Sequence, residues 1–233
     1  MLMKASPRPA PPRPDRKADI LLAAEKLFAR AGYHAVSIRD IAQEANVPLA
    51  LVGYHYGTKQ ELFYAIFAHW NSTIEERLRE LKKAHTLPHI IDAFIGPVLR
   101  MRASIEGEYY ALLVARELFH IRDESDRVLH DFFDPLAHAF IDALNVALPH
   151  ATRGQIAWGY QFALGALLHH ISDDRVVRLS NGQNVPSDPA AAELLTRFIV
   201  GGLRAALPAP QPAEKAKNPI PKHSVKTKER DKP

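Results

Sequence analysis

Four side chains in this 233-residue sequence are typed and spaced for one kind of chemistry. Tyr54, His55 and Lys59 bring a phenol, an imidazole and an ammonium into one short stretch, and Arg39 precedes them. Such groups contact phosphate, and a guanidinium serves equally for a guanine edge. The plainer readings are a solvated Arg39, a His55 without consequence and a Tyr54 at the edge of a core. Catalysis finds less support. The twelve histidines invite a metal or acid–base reading, His169-His170 above all. Adjacent helical positions diverge by about 100°, however, so that pair does not converge on one ion. No His-Glu-x-x-His, Gly-x-Ser-x-Gly, Gly-x-x-x-x-Gly-Lys-Ser/Thr or dinucleotide fingerprint occurs. Cysteine is absent, which removes disulfides, thiolate zinc sites and thiol nucleophiles. The chain reads as a binding protein without metal or cofactor, not as an enzyme.

The elements that must position these groups are marked locally. Ser37-x-x-Asp40 and Thr58-x-x-Glu61 have the form of capping boxes, each opening a helix. Between them Asn46-Val47-Pro48 interrupts the first pattern, leaving room for one short helix between Pro48 and Tyr56. An earlier helix runs from about Arg16 to Ala31, capped by Asp15 and stopped by Gly32. Its stripe of Ile20, Leu21, Ala24, Leu27 and Phe28 is core, continued by Ile38, Ile41, Ala42 and Ala45. Helix, tight turn and short helix, tied down on both sides, present a second helix to the DNA major groove. Val47, Leu51 and Val52 are its candidates to face inward, with Tyr56 in a packing position.

The stretch from Val47 to Leu62 resembles the signature of the TetR family of transcriptional repressors. In that signature a Tyr-His-aromatic triplet closes the recognition helix, and a small-Ser/Thr-Lys-x-Glu-Leu segment opens the next. Here these read Tyr54-His55-Tyr56 and Gly57-Thr58-Lys59-Gln60-Glu61-Leu62. The likeness covers about residues 16–62. It implies an operator-binding face formed by Ser37, Arg39, Pro48, Leu49, Ala50, Gly53, Tyr54, His55 and Lys59. The outer positions Leu49, Ala50 and Gly53 depart from the polar residues common in the family. Small apolar groups touch thymine methyls and glycine admits a close phosphate, so DNA binding survives while the operator sequence stays unread.

Basicity lies at the ends. Residues 1–17 and 208–233 each carry +4 of a net charge of +4, so the body between them is at −4. These segments hold eleven of the eighteen prolines and little apolar periodicity, and are expected to be disordered. A basic arm beside a DNA-reading helix adds salt-sensitive, sequence-independent attraction, whereas a solvated tail is the plainer reading, above all at the C-terminus. The division expected is an arm over 1–15, a helix-turn-helix domain over 16–62, a helical domain over 63–207 and a tail over 208–233. No apolar run approaches the ~20 residues that span a bilayer, so a soluble cytoplasmic protein is expected.

The fold class is all-α: a three-helix N-terminal domain joined by a long helix, about Thr58 to Ala84, to a larger ligand-binding and dimerisation domain. Leu62, Ile66, Trp70, Ile74, Leu78 and Leu81 give that long helix one buried side and make it a lever between the domains. Further helices follow: one opened by Pro88 and kinked at Gly96-Pro97, one from Tyr109 to Ile121, and one capped near Ser125-Asp126 and bent by Pro135. Thr152-x-x-Gln155 caps the next, a polar loop covers about 173–187, and Asp188-Pro189 opens the last. The last two long helices are apolar on more than one face and rich in glycine. TetR-like proteins dimerise through such a helix pair, and here Ile156, Tyr160, Ala163, Leu164, Leu167, Leu194, Phe198 and Gly202 are the interface candidates. A two-fold dimer sets the reading helices about 34–36 Å apart or a multiple of it, matching a palindromic double-stranded operator. A monomer burying both faces is the alternative. The resemblance also implies a small-molecule effector that weakens DNA binding, read as an aromatic or long-chain acid. Phe94, Met101, Tyr110, Phe132, Trp158 and Phe162 are its apolar candidates, with Arg116, His120 and His138 as polar ones. A non-specific DNA-coating protein using the basic tails is the remaining reading.

Overall fold

A computed structural model describes residues 15–104, 107–119, 123–186, 188 and 190–207. Apart from Asp15, both expected arms lie outside these residues. Among the described residues there is no strand. The helices are α1 (Arg16–Ala31), α2 (Ile38–Glu44), α3 (Leu49–Tyr56), α4 (Lys59–His69), α5 (Asn71–Leu81), α6 (Leu87–Arg102), α7 (Gly107–Phe119), α8 (Asp123–Val128), α9 (Asp134–Ala147), α10 (Arg153–Ser172), α11 (Val176–Leu179) and α12 (Ala190–Ala206). A π-helical turn, Leu129–Phe133, joins α8 to α9.

The starts follow local hydrogen bonding. The Asp15 carboxylate accepts from the backbone of Lys17 and Ala18, and Ser37, Thr58 and Thr152 each close a reciprocal capping box. Gly32 at φ 84° and Gly57 at φ 70° end α1 and α3 in the left-handed region where a β-carbon is disfavoured. Asn46, at φ 51°, makes the turn between α2 and α3. Asparagine tolerates that conformation better than most residues.

Three expectations change. The long helix is interrupted: Trp70, at ψ 6°, separates α4 from α5. The weak helix formers Asn71, Ser72 and Thr73 follow it, and its indole is held sideways by tertiary contacts described below. The helix near Ser125 begins earlier, at Asp123, so Ser125-Asp126 is inside it rather than at its cap. The loop after α10 contains the short helix α11. Of the two proline positions, Pro97 lies inside a continuous α6, and Pro135 occupies the first turn of α9 directly after the π turn.

Two cores form. The N-terminal one joins Ile20, Ala24 and Phe28 to Ile41, Val52, Leu62, Phe63 and Phe67, and then takes in Tyr110, Leu113 and Val128 from α7 and α8. It therefore does not stop at Leu62. The larger core packs Ile90, Ile91 and Phe94 against Phe140, Ile156, Leu167 and Leu203. Helix α7 serves both: Leu113 belongs to the first core, Ala111 and Ala115 to the second.

Candidate nucleic-acid interface and effector cavity

Helix α3 buries one side and displays the other. Val52 is buried, Val47 and Leu51 are half-buried, and the Tyr56 hydroxyl donates to the Lys17 carbonyl at 2.9 Å, pinning α3 to α1. Burial pushes the Tyr56 phenol up to about 12, so it stays protonated as a donor. On the other side Pro48, Leu49, Ala50, Gly53 and Tyr54 are exposed, Tyr54 at 81%. Space around Gly53 is open. The half-exposed His55 ring meets the Tyr54 ring edge-on at 5.1 Å, which props the phenol outward.

The neighbouring cations are held differently. Arg39 is exposed on the first turn of α2. The Lys59 ammonium lies 4.1 Å from the centre of the Tyr33 ring and 5.9 Å from that of Phe28, a cation–π seat at the N-terminus of α4. Ser37 is placed at the edge of this face, but its hydroxyl donates to Asp40 Oδ2 at 2.7 Å and accepts from the Asp40 backbone. Its role in the structure is therefore the cap, and the cap aims α2.

A cavity of about 210 Å³ opens between α5, α6, α7, the π turn, α9 and α10. Of the nine residues expected to line an effector pocket, Met101 and Tyr110 do so. Phe94 is buried behind the wall, edge-on to Phe140 and Tyr160. Phe132 turns away to meet Tyr64 on α4, and His138 is exposed on the outer side of α9. Arg116 packs against the backbone at Gly32, at the junction of α7 with α1. Trp158 and Phe162 lie on the opposite side of α10, where they are 66% and 67% exposed. His120 lies outside the described residues. The wall includes residues that the sequence reading passed over: Arg77, Phe133, Leu136 and Gln161. For Arg77 a signal existed, since it falls three positions after Ile74 and four before Leu81, a cation in a buried stripe.

The interface candidates divide the same way. Ile156, Tyr160, Ala163 and Leu167 are buried in the subunit, Ala163 at the floor of a groove between α10 and α12, and Leu164 lines the cavity. Phe198 and Gly202 are exposed beside Trp158 and Phe162, forming an apolar face over α10 and α12 with this groove of about 560 Å³ between them, and the exposed Leu194 lies one turn before Phe198, lining a separate hollow with His169 and Leu179. The two helices approach closely because Gly159 lacks a side chain: a β-carbon there would stand 2.6 Å from Leu203 Cδ2. The pair His169-His170 diverges as its spacing requires, His169 Nε2 lying 3.2 Å from Asp173 Oδ2 while His170 Nε2 is buried without a hydrogen-bond partner.

An N-terminal helix-turn-helix with its second helix displayed, followed by a helical domain with an internal cavity, matches two family descriptions on separate parts of the chain. Residues 20–66 match "Bacterial regulatory proteins, tetR family", and residues 92–202 match "Tetracyclin repressor-like, C-terminal domain". The chain belongs to the TetR family of transcriptional regulators. Relatives point to both signs of control. The HTH-type transcriptional repressor Rv3405c of Mycobacterium tuberculosis is 38% identical over 95 residues, 41% of this chain and 50% of that protein. The HTH-type transcriptional activator FasR of Mycolicibacterium smegmatis is 29% identical over 75 residues, 32% of this chain and 34% of that one. The matches thus span half or less of these relatives' lengths. Among solved structures, a TetR-family transcriptional regulator from Bordetella parapertussis superposes with a TM-score of 0.60 at 18% identity, covering 79% of this chain and 94% of that one. FadR of Bacillus subtilis in complex with stearoyl-CoA gives 0.56 at 16%, covering 79% and 98%. At such identities the likeness is one of fold.

Between α1, to which α3 is pinned through Tyr56, and the cavity runs a chain of contacts that starts at a buried carboxylate. Glu25 of α1 is 3% exposed, and its Oε2 accepts from Trp70 Nε1 at 2.9 Å. Burial dominates over that hydrogen bond and raises the carboxyl to about 7. The Trp70 ring stacks on Tyr110 at 5.1 Å with the planes 14° apart, and Tyr110 forms part of the cavity wall. A second link joins α1 to α7 directly, Arg30 Nη2 donating to the Tyr109 hydroxyl at 2.9 Å.

Proposed function

We propose that this TetR-family chain is a dimeric, ligand-responsive repressor that leaves a palindromic operator when a small, largely apolar effector enters the cavity. The observation that carries the reading is the exposure of α3 on the side away from its own core, with Tyr54 displayed on it and Arg39 exposed on α2. Pro48, Leu49, Ala50 and Gly53 form a smooth surface that fits against base edges and thymine methyls, while Tyr54, His55, Lys59 and Arg39 grip phosphates on either side. Two such faces are joined through the apolar surface of Trp158, Phe162, Leu194, Phe198 and Gly202. Burying each large side chain there contributes roughly 1.5–3 kcal/mol to association, and a patch of this kind on a lone monomer is a liability for aggregation.

Release follows from differential binding: the effector must prefer the arrangement in which the two reading helices no longer match the operator. Helix α7 and Trp70 are the parts that can carry the change, since each touches both the cavity wall and α1. The test is genomic footprinting with the purified chain. Protected palindromes are the expected result, and binding without sequence preference, retained after Tyr54→Ala, would refute the reading in favour of non-specific attachment.

A further inference from the structure

The cavity wall is mostly apolar, and its polar side chains are Thr73, Arg77, Asp134, Gln161 and the phenols of Tyr110 and Tyr160. Arg77 is 7% exposed and lines the cavity together with Tyr110 and Tyr160. Its guanidinium lies over the rings of Phe94 at 4.8 Å and Phe140 at 5.5 Å, which fix its plane but accept no conventional hydrogen bond. Arg77 Nε and the Tyr110 hydroxyl are both buried without a hydrogen-bond partner. The titratable groups that act on the guanidinium are the phenols of Tyr160 and Tyr110, which in turn feel the carboxylates of Asp134 and Glu25 respectively. Asp134, also on the wall, is exposed to solvent.

Burial lowers the Arg77 guanidinium only to about 10, so it is charged at neutral pH. Buried charges in proteins are paired or bound to a ligand of opposite sign. Here a planar fork and a phenolic donor line one largely apolar space, Arg77 Nε and the Tyr110 hydroxyl both lacking a hydrogen-bond partner, and that fork matches the two oxygens of a carboxylate. We propose that the cavity binds a small monocarboxylic acid with an apolar tail, its carboxylate accepting hydrogen bonds from Arg77 and the Tyr110 hydroxyl. This rests on the reading of the cavity as an effector pocket and names the effector's head group. A volume of about 210 Å³ lies below the ~300–1,000 Å³ of pockets for drug-sized ligands. The tail inside the cavity is therefore a medium chain or a single aromatic ring.

The test titrates octanoate and phenylacetate, and in parallel octanamide and phenylacetamide, into the full chain by calorimetry, with affinity for a footprinted DNA fragment followed alongside. The acids should bind about 10-fold or more tightly than their amides, the gap expected of a hydrogen bond to a charged group. Arg77→Met should remove that gap and leave the amides unchanged, Arg77→Lys should restore part of it, and Tyr110→Phe should weaken the acids alone. Equal binding of acid and amide, or undiminished acid binding in Arg77→Met, overturns the carboxylate assignment while leaving an apolar effector in place. No binding of either class by the wild type overturns both. Acid binding that depends on Arg77 but leaves DNA affinity unchanged upholds the carboxylate site and refutes its part in release. Should Arg77→Met fail to fold, acid affinity unchanged in both Arg77→Lys and Tyr110→Phe overturns the assignment.

Discussion

Lys59 and Glu25 show how one side chain serves fold and function together. The ammonium of Lys59 sits on the Tyr33 ring at the edge of the proposed DNA face. Lys59→Ala should weaken DNA binding uniformly across sequences and lower the salt slope by about one. The same change should cost about 0.5–1 kcal/mol of stability through the lost cation–π contact. Filter binding across a salt series and denaturant melts separate the two effects. Glu25 gives the sign of a pH dependence. Its carboxyl titrates near 7 in the folded chain against 4.5 ordinarily, so the neutral form is favoured by folding. That contribution is fully present below about 4.5 and is lost as pH rises through about 7. Glu25→Gln should retain an acceptor for Trp70 and flatten stability between about pH 5 and about pH 8. At the alkaline end it should exceed the wild type by on the order of 3 kcal/mol in urea denaturation, and equal slopes for both proteins would contradict the burial argument.

At the scale of elements, the decisive feature is how α10 and α12 meet. Gly159 is required for their close approach, and Gly159→Ala should destabilise the subunit by about 1–3 kcal/mol because Leu203 has to move. Gly202 lies on the same pair but faces open space. Gly202→Ala should leave the isolated subunit unharmed, or up to ~1 kcal/mol more stable through helix propensity. If a second copy covers this face, the added methyl should weaken the dimer instead, and denaturation melts at two protein concentrations read both quantities. The break at Trp70 belongs to this scale as well. An uninterrupted helix from Thr58 to Ala84 would have been a rigid lever, whereas two helices meeting at a residue tied to Glu25 and Tyr110 form a joint.

For the whole molecule, the proposed dimer and the DNA face are linked by symmetry. Phe198→Arg places a charge in the middle of the exposed apolar face without disturbing the subunit core, since Phe198 is 69% exposed. Sedimentation should show a monomer. Operator affinity should fall by roughly 100-fold or more, because two half-sites are then bound independently. A dimer that persists would move the interface elsewhere. No helix among the described residues is long and apolar enough to cross a membrane.

What the sequence determined by itself was whatever depends on near neighbours in the chain. Asp15, Ser37, Thr58 and Thr152 fix helix starts through hydrogen bonds reaching three residues or fewer, and Pro48 and Gly57 bound α3 by their own backbone preferences. The stripe from Ile20 to Phe28 has a single apolar side, so its direction was readable. Helix α10 is apolar all round, and periodicity then gives no direction. Only tertiary packing decided that Ile156 and Tyr160 point into the subunit while Trp158 and Phe162 point out. The same holds for the cavity. Arg77, Tyr110 and Phe133 come together there from three segments, and Glu25 meets Trp70 across 45 positions of sequence. Local rules place each residue on its helix, but the partner that gives a buried charge its meaning is chosen by how the helices pack.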